Sequence, residues 1–484
     1  MALTPTPLLE RGALQRREGR AWVGLVLLLA AVCTACTGLP KHVDTPPPLA
    51  AAAARAQVSI VGAQGEVSDA AKARDLARLR AEGRAALVER HLGVFAAQGE
   101  VNLYRGNSAR LLIDGPQTLA AMKAAIAAAR GRLLLQFYIV EDDGVAAEIA
   151  ELLLRKAAAG VSVALLYDSL GSMSTPREFF ERLKAGGIAV CAFNPVNPLE
   201  RPGYWGLVHR NHRKLLVADS ELAYTGGINL SNVYAEGSFG SGRRQRTPRA
   251  GDDKSGGWRD TQVELRGPVV AAMAAVFRET WQTQGCPGVL PAPPPPSSAA
   301  PGQRVVRLMA GTPREGLNPS FTALLGAIGA AQHSVSLTMA YFAPGQAMVR
   351  ALSDAARRGV DVRLVLPGRS DVPLVLHAAR SYYEQMLAAG VRIYEMPHTV
   401  LHAKTAVVDG VYASVGSSNL DGRSIDGNDE LDVIVLGEDF GAALDEVFAQ
   451  DVTRSTAIDA RAWQGRSWRQ KVLERLARSI ERWL

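Results

Sequence analysis

The 484-residue sequence predicts an α/β fold: two pseudo-symmetric α/β/α lobes, each a mixed, mainly parallel sheet flanked by helices, sharing one central active site. Three observations predict it. The chain repeats itself about a proline-rich stretch, each half alternates helical patterns with short apolar runs, and each half carries one copy of the same polar motif.

The mirrored runs are Leu133–Tyr138 with Val335–Tyr341, Gly160–Leu166 with Gly359–Val365, and Gly187–Phe193 with Gly390–Met396. A glycine before such a run marks where a helix stops and a strand begins. Alternating helices and strands imply a sheet covered on both faces. Ligands bind beyond the strand ends in such sheets, so two related halves can face each other across one cleft. Pro287–Pro301 (PGVLPAPPPPSSAAP) supports neither a helix nor a central strand and reads as an extended linker. The expected organisation is a signal segment over 1–36, a spacer with one helical stretch over 37–99, an N-terminal lobe over 100–286, the linker over 287–302, a C-terminal lobe over 303–460 and a basic amphipathic helix over 461–484.

Hydrophobic residues make up 48% of the chain, which excludes a disordered protein. The net charge of +7 suits phosphate-bearing partners, lipid or nucleic acid, without choosing between them. The chain has 4 cysteines, too few for a disulfide framework. Cys191 and Cys286 stay open between a bonded pair and two separate thiols.

Arg11, Arg16, Arg17 and Arg20 precede an uncharged run, Ala21–Ala35, the plan of an export signal. Thr34-Ala35-Cys36 resembles a bacterial lipoprotein signal with Cys36 as the lipidated residue, although Cys33 stands where Leu is usual. The alternative is an uncleaved anchor, with a run slightly short of the ~20 residues a span needs. Either way the basic flank stays inside. The remainder is expected at the bacterial cell membrane, facing the periplasm and tethered there by a lipid or signal anchor.

The polar motif is H-x-K-x-x-x-x-D. It occurs as His212, Lys214 and Asp219, and again as His402, Lys404 and Asp409. An asparagine follows each at the same offset, Asn229 and Asn419, just past a small-residue turn. A spacing of two puts His and Lys on one face of a strand. One imidazole can attack phosphorus and form a phosphohistidine, which divides a hard displacement into two easier ones. A second can protonate the leaving alkoxide, and lysines can neutralise the non-bridging oxygens. No metal or cofactor is required, and no H-E-x-x-H or spaced carboxylate cluster is present. A single such motif by chance is a prospect of roughly a few per cent; two copies in repeated halves, each with its turn and asparagine, are far rarer.

These motifs resemble those of the phospholipase D superfamily, and their surroundings resemble its bacterial cardiolipin synthase branch. The resembling stretches are Arg210–Lys214, Trp258–Thr261 with Gly267 and Pro268, Ala340–Pro344, and Asn419–Ser424 with Asn428 and Glu430. The resemblance covers about Val101–Gln282 and Arg304–Val452. It implies two phospholipase D-like lobes, with one motif histidine as nucleophile and the other as general acid; the motif leaves open which of the two attacks, and His212 is the preferred choice. It implies phosphate binding by Lys214, Lys404, Asn229 and Asn419. It implies a downstream carboxylate in each half that orients its own histidine, Asp260 and Glu430, and a mainly structural role for Asp219 and Asp409. The implied activity is a phosphatidyl transfer that converts phosphatidylglycerol to cardiolipin and glycerol. Water as acceptor would make it a hydrolytic phospholipase D, and the same chemistry serves nucleases.

The expected partners are a phospholipid and a membrane surface. Nucleic acid is disfavoured by export and by the absence of an aromatic-rich stacking strand. One chain carries both motifs and suffices as a monomer. A catalytically dead membrane scaffold is disfavoured because both motifs are intact. The Gly237–Gly257 loop, with Arg243, Arg244, Arg246 and Arg249, reads as a solvated insertion, and Asn194–Trp205 as a packed loop or an acyl-chain entrance. Near the C-terminus Trp468, Val472, Leu476 and Ile480 recur at helical spacing among basic residues. That stripe can lie on an anionic membrane or pack onto the protein. His209, His333, His377 and His398 read as surface or loop histidines.

Overall fold

The computed structural model describes residues 58–62, 65–81, 85–96, 101–196, 208–238, 257–288, 290, 301–313 and 318–481. All of them belong to one compact unit, Thr45–Leu484. The expected signal with Cys36, the spacer up to residue 57, residues 197–207, the arginine-rich part of the Gly237–Gly257 loop, the proline run 291–300 and residues 482–484 lie outside the described residues.

An N-terminal piece comes first: β1 (Val58–Gly62), β2 (Gly65–Glu66), α1 (Asp69–Ala81) and α2 (Ala85–Ala96). The N-terminal lobe follows with β3 (Val101–Ile113), α3 (Asp114–Ala128), β4 (Arg132–Phe137), α4 (Gly144–Ala158), β5 (Ser162–Asp168), α5 (Arg177–Ala185), β6 (Ala189–Phe193), β7 (Arg210–Asn211), β8 (Leu215–Ala218), β9 (Leu222–Gly226), β10 (Thr261–Arg266) and α6 (Val269–Thr283). The C-terminal lobe repeats the plan with β11 (Arg304–Gly311), α7 (Pro319–Ala330), β12 (Ser334–Met339), α8 (Gly345–Arg357), β13 (Asp361–Pro367), α9 (Pro373–Arg380), α10 (Tyr383–Ala388), β14 (Arg392–Met396), β15 (Lys404–Val408), β16 (Tyr412–Gly416), α11 (Gly422–Asp426), β17 (Asn428–Leu436) and α12 (Glu438–Thr453). It ends with β18 (Thr456–Ala457), α13 (Ala460–Gln464) and α14 (Trp468–Ser479).

The mirrored runs become β4 with β12, β5 with β13, and β6 with β14. The glycines before them take left-handed φ of 85° at Gly160, 90° at Gly359, 86° at Gly187 and 95° at Gly390. That backbone closes the preceding helix and is strained for a residue with a Cβ.

Strand order in the N-terminal lobe is β6-β5-β4-β8-β9-β10-β3. The C-terminal lobe reads β14-β13-β12-β15-β16-β17-β11. Antiparallel pairing of β3 with β11 joins the two sheets about the pseudo-twofold. The expectation of a mainly parallel sheet holds only for β4-β5-β6 and β12-β13-β14, where helices make the crossovers. In the rest of each lobe's strand order the pairs are antiparallel, and tight turns rather than helices join β8 to β9 and β15 to β16.

One apolar cluster unites the lobes. Strand residues Leu215, Val217 and Val263 of the first lobe pack with Val407, Val415, Leu431 and Val433 of the second, together with α6 and α12. Cys191 of β6 and Cys286 just past α6 form a disulfide, which resolves the open thiol question in favour of a bonded pair. The stretch read as a spacer folds against the body from residue 58 onward. β1 pairs with β3, and Leu87, Val88, Leu92 and Phe95 of α2 enter the C-terminal core. The reason is the apolar face of α2, which finds its cover in α7 and β11 rather than in solvent.

Candidate active site

The two motifs stand beside the ends of the parallel strands. Leu215, just past His212 and Lys214, pairs with Gln136 near the end of β4. Lys404 pairs with Met339, the last residue of β12. His212 and Lys214 fall between β7 and β8, and His402 stands one residue short of β15, which begins at Lys404, so each histidine lies on the lead into a strand rather than on its face. Each lysine folds back on its own motif. Lys214 Nζ donates to the His212 carbonyl at 2.6 Å, and Lys404 Nζ donates to the His402 carbonyl.

The carboxylates pair across the lobes. His212 Nδ1 lies 3.1 Å from both oxygens of Glu430, which belongs to the C-terminal lobe. His402 Nδ1 lies 2.7 Å from Oδ2 of Asp260, which belongs to the N-terminal lobe. The expectation that each half orients its own histidine is corrected: the arrangement is crossed. Backbone pairing explains it. β7 runs parallel to β17, with Arg210 opposite Asn428 and Asn211 opposite Asp429, and the His212 N–H donates to the Asp429 carbonyl at 2.9 Å. In the other lobe Arg259 bridges Leu401, and the His402 N–H donates to the Arg259 carbonyl at 2.8 Å. Each histidine is thus pinned to the residue before the opposite carboxylate.

Buried ion pairs stiffen these segments. Arg210 grips Asp168 at the end of β5, with its Nη2 2.9 Å from Oδ1. Arg259 forks onto Asp451 of α12 through Nε at 2.7 Å and Nη2 at 2.8 Å. Such forks fix direction as well as distance. His209, read as a peripheral histidine, instead holds Asp429 at 2.7 Å, one residue from Glu430.

The second carboxylate carries two hydroxyls. Glu430 accepts from Ser417 at 2.5 Å and from Ser424 at 2.6 Å. On the opposite side Gly227 takes the position of Ser417, and a Cβ there would meet Asp260 Oδ1 at 2.1 Å. Tyr234 takes the position of Ser424, and its hydroxyl lies 3.2 Å from His402 Nδ1. Aromatic rings wall the pair: Tyr138 lies 5.2 Å from the His212 ring, and Trp258 5.2 Å and Tyr341 6.2 Å from that of His402.

All four motif bases share one buried electrostatic environment. Burial pushes the His212 imidazole well below its ordinary pKa, and the charges of Lys214, Lys404 and His402 add to the effect. Burial and then Lys404 lower His402, but Asp260 opposes them. Burial drives Lys214 well below the usual ammonium range and Lys404 down to about 8. Burial raises Glu430 to about 7, against the pull of Lys214.

The remaining expected residues divide. Asn229 Oδ1 accepts the Ile139 N–H at 3.1 Å, and its amide reaches the Tyr234 hydroxyl. Asn419 Oδ1 is buried with no hydrogen-bond partner among the described residues. Asp219 and Asp409 are grouped by their motif with the reacting residues, but they stand at the far ends of β8 and β15. Asp219 accepts backbone N–H groups of Arg130, Gly131 and Arg132, and Asp409 those of Gln332, His333 and Ser334. Both adopt left-handed φ, 55° and 53°, which aspartate tolerates. They tie the motif strand to the start of β4 or β12. Sequence reasoning missed Ser417, Tyr234 and Ser424; the last two follow Asn229 and Asn419 at one common offset, a signal that was available.

Comparison with known proteins gives the family and the fold. The backbone is similar to that of phosphatidylserine synthase from Haemophilus influenzae Rd KW20, with a TM-score of 0.58 at 13% identity over 77% of this chain and 93% of that one; this likeness concerns the fold. A family model described as "Cardiolipin synthase, PLD-like domain" matches residues 122–239 and 324–452, one match in each lobe. The chain belongs to this phospholipase D-like family. It is 32% identical over 393 residues to a cardiolipin synthase of Geobacillus thermodenitrificans, covering 81% of this chain and 74% of that protein. It is 35% identical over 351 residues to cardiolipin synthase A of Pseudomonas aeruginosa, covering 72% and 68% respectively.

Proposed function

We propose that this chain is a phosphatidyltransferase of the cardiolipin synthase type, which takes phosphatidylglycerol as donor and a second phosphatidylglycerol as acceptor. The observation that carries the reading is the crossed pairing of His212 with Glu430 and His402 with Asp260. A carboxylate on Nδ1 orients each ring and leaves Nε2 for chemistry.

His212, held neutral most strongly, is the nucleophile. Its Nε2 lone pair forms an N–P bond as the P–O bond to glycerol breaks. His402, whose protonated form Asp260 supports, delivers a proton to the departing glycerol oxygen. In the second half His402 takes the proton from the acceptor hydroxyl, whose oxygen displaces His212 from phosphorus. The amino groups of Lys214 and Lys404 donate to the non-bridging oxygens, with the Lys404 charge balancing theirs, and Asn419, with Asn229 hydrogen-bonded to Tyr234, completes the surround. Water in the acceptor's place would yield phosphatidic acid.

The protein works at a membrane because its substrate resides there. The Cys191–Cys286 bond supports a compartment that permits disulfides, hence the periplasmic side of a bacterial cell membrane. The N-terminal segment provides the tether, by Cys36 lipidation or as a signal anchor. One chain contributes both motifs, so the working unit is a monomer.

Incubation with labelled phosphatidylglycerol tests the reading. Cardiolipin with glycerol release is expected. Phosphatidic acid as the dominant product makes the enzyme a hydrolase, and neither product turns attention to nucleic acid. His212→Ala and His402→Ala should each abolish turnover; full activity in either variant would falsify the shared site.

A further inference from the structure

We propose that α14, the start of α9 and the loop after β5 form the face on which this protein lies against an anionic phospholipid bilayer, with the cleft turned towards the lipid. The choice of occupant rests on the lipid substrate proposed above.

Helix α14 is oriented inside out for a helix in water. Its buried strip carries Glu474 and Ala477. Glu474 is held by Arg466 at 3.0 Å, and Ala477 packs on Ala378 of α9 and Ala343. Its outward strip carries Trp468, 71% exposed, Leu476, 60% exposed, and the exposed Val472, Leu473 and Ile480. The helix is firmly seated. Ser467 and Gln470 form a capping box at its start, and the Arg478 guanidinium lies 4.3 Å from the Tyr382 ring centre. A helix whose apolar side chains merely sought cover would rotate them inward; here polar anchors fix the opposite face.

Helix α9, on which α14 packs, begins beside the rim of the cleft. Val372 and Leu374, at the start of α9, are exposed as well. The adjacent Asp371 accepts the Tyr341 hydroxyl at 2.8 Å, and Tyr341 walls His402. Across the pseudo-twofold, Met173 is 69% exposed in the corresponding loop after β5. Its neighbour Ser172 donates to the carbonyl of Tyr138, which walls His212. Both rims of one site therefore present bare apolar side chains.

Charge selects the partner. Arg475 is exposed beside the apolar strip and Arg469 within it, and the Arg469 guanidinium lies 5.7 Å from the Trp468 ring centre. Basic and aromatic side chains on one face suit an anionic headgroup layer above acyl chains. A second copy would bring two basic flanks together.

The test uses the full-length chain and vesicles of phosphatidylglycerol with brominated acyl chains. The emission difference between the wild type and Trp468→Phe isolates Trp468, which should be quenched on vesicle binding. The paired changes Val472→Ser with Leu476→Ser, and Arg469→Glu with Arg475→Glu, should each raise KM on vesicles by roughly 10- to 100-fold. Turnover of dispersed short-chain phosphatidylglycerol should stay at the wild-type rate. Trp468 left unquenched while the chain sediments with vesicles overturns the proposal. So does a self-associated wild type that becomes monomeric in the serine variant, since the face would then bind a second copy. If the wild type fails to turn over even the short-chain lipid, the functional reading fails, and the quenching still decides the docking face.

Discussion

Replacing Glu430 by glutamine separates what the site gains in chemistry from what it loses in stability. Glu430 is fully buried and touches His212, Ser417 and Ser424. Burial raises its pKa from 4.5 to about 7. Because the folded protein holds this proton more tightly than the unfolded chain, stability falls as pH rises from 4.5 through 7. A displacement of that size corresponds to ~3 kcal/mol, fully felt above pH 7 and absent below pH 4.5. Glu430→Gln removes the buried charge and keeps the shape, and the two serine hydroxyls can still donate to its amide oxygen. The variant should therefore match the wild type near pH 4.5 and gain up to ~3 kcal/mol at pH 8. It should also lose ~10²–10⁴-fold in turnover, as the His212 tautomer and orientation lose their carboxylate. Thermal unfolding of both proteins at pH 4.5, 6 and 8, beside phosphatidylglycerol turnover, measures each part. A stability difference that does not change with pH, or a wild type that is more stable at pH 8, would refute the reasoning.

Further outcomes follow from the same structure. Lys404, lowered to about 8 by burial, loses its charge as pH rises through that value; kcat/KM should fall above about pH 8, and Lys404→Arg should move that limb upward or remove it. The Cys191–Cys286 bond spans 95 residues; reductant should destabilise the wild type by ~2–4 kcal/mol in urea unfolding and leave a Cys191→Ala, Cys286→Ala variant unaffected. Asp219→Ala removes the acceptor from three backbone donors at the start of β4, two of them open to water, and should lose ~1–2 kcal/mol of stability in the same assay, with KM unchanged in the folded fraction.

The sequence by itself determined whatever depends on neighbours along the chain. The mirrored runs marked β4, β5 and β6 and their partners, since each strand is a short apolar segment preceded by its own helix-stopping turn. The spacing of His, Lys and Asn marked the site, since one strand and one tight turn set those offsets. Even the contrast between Tyr234 and Ser424 was legible as a common offset. Only the tertiary structure decided what depends on surfaces meeting across the pseudo-twofold. The pairing of β7 with β17, and the bridge of Arg259 to Leu401, carries each carboxylate to the other lobe's histidine. No local pattern encodes that exchange, because both lobes look equally able to serve themselves. The same holds for the Cys191–Cys286 bond, for α2 entering the C-terminal core and for the outward turn of the α14 apolar strip. Each is settled by which faces remain uncovered once the two sheets join through β3 and β11.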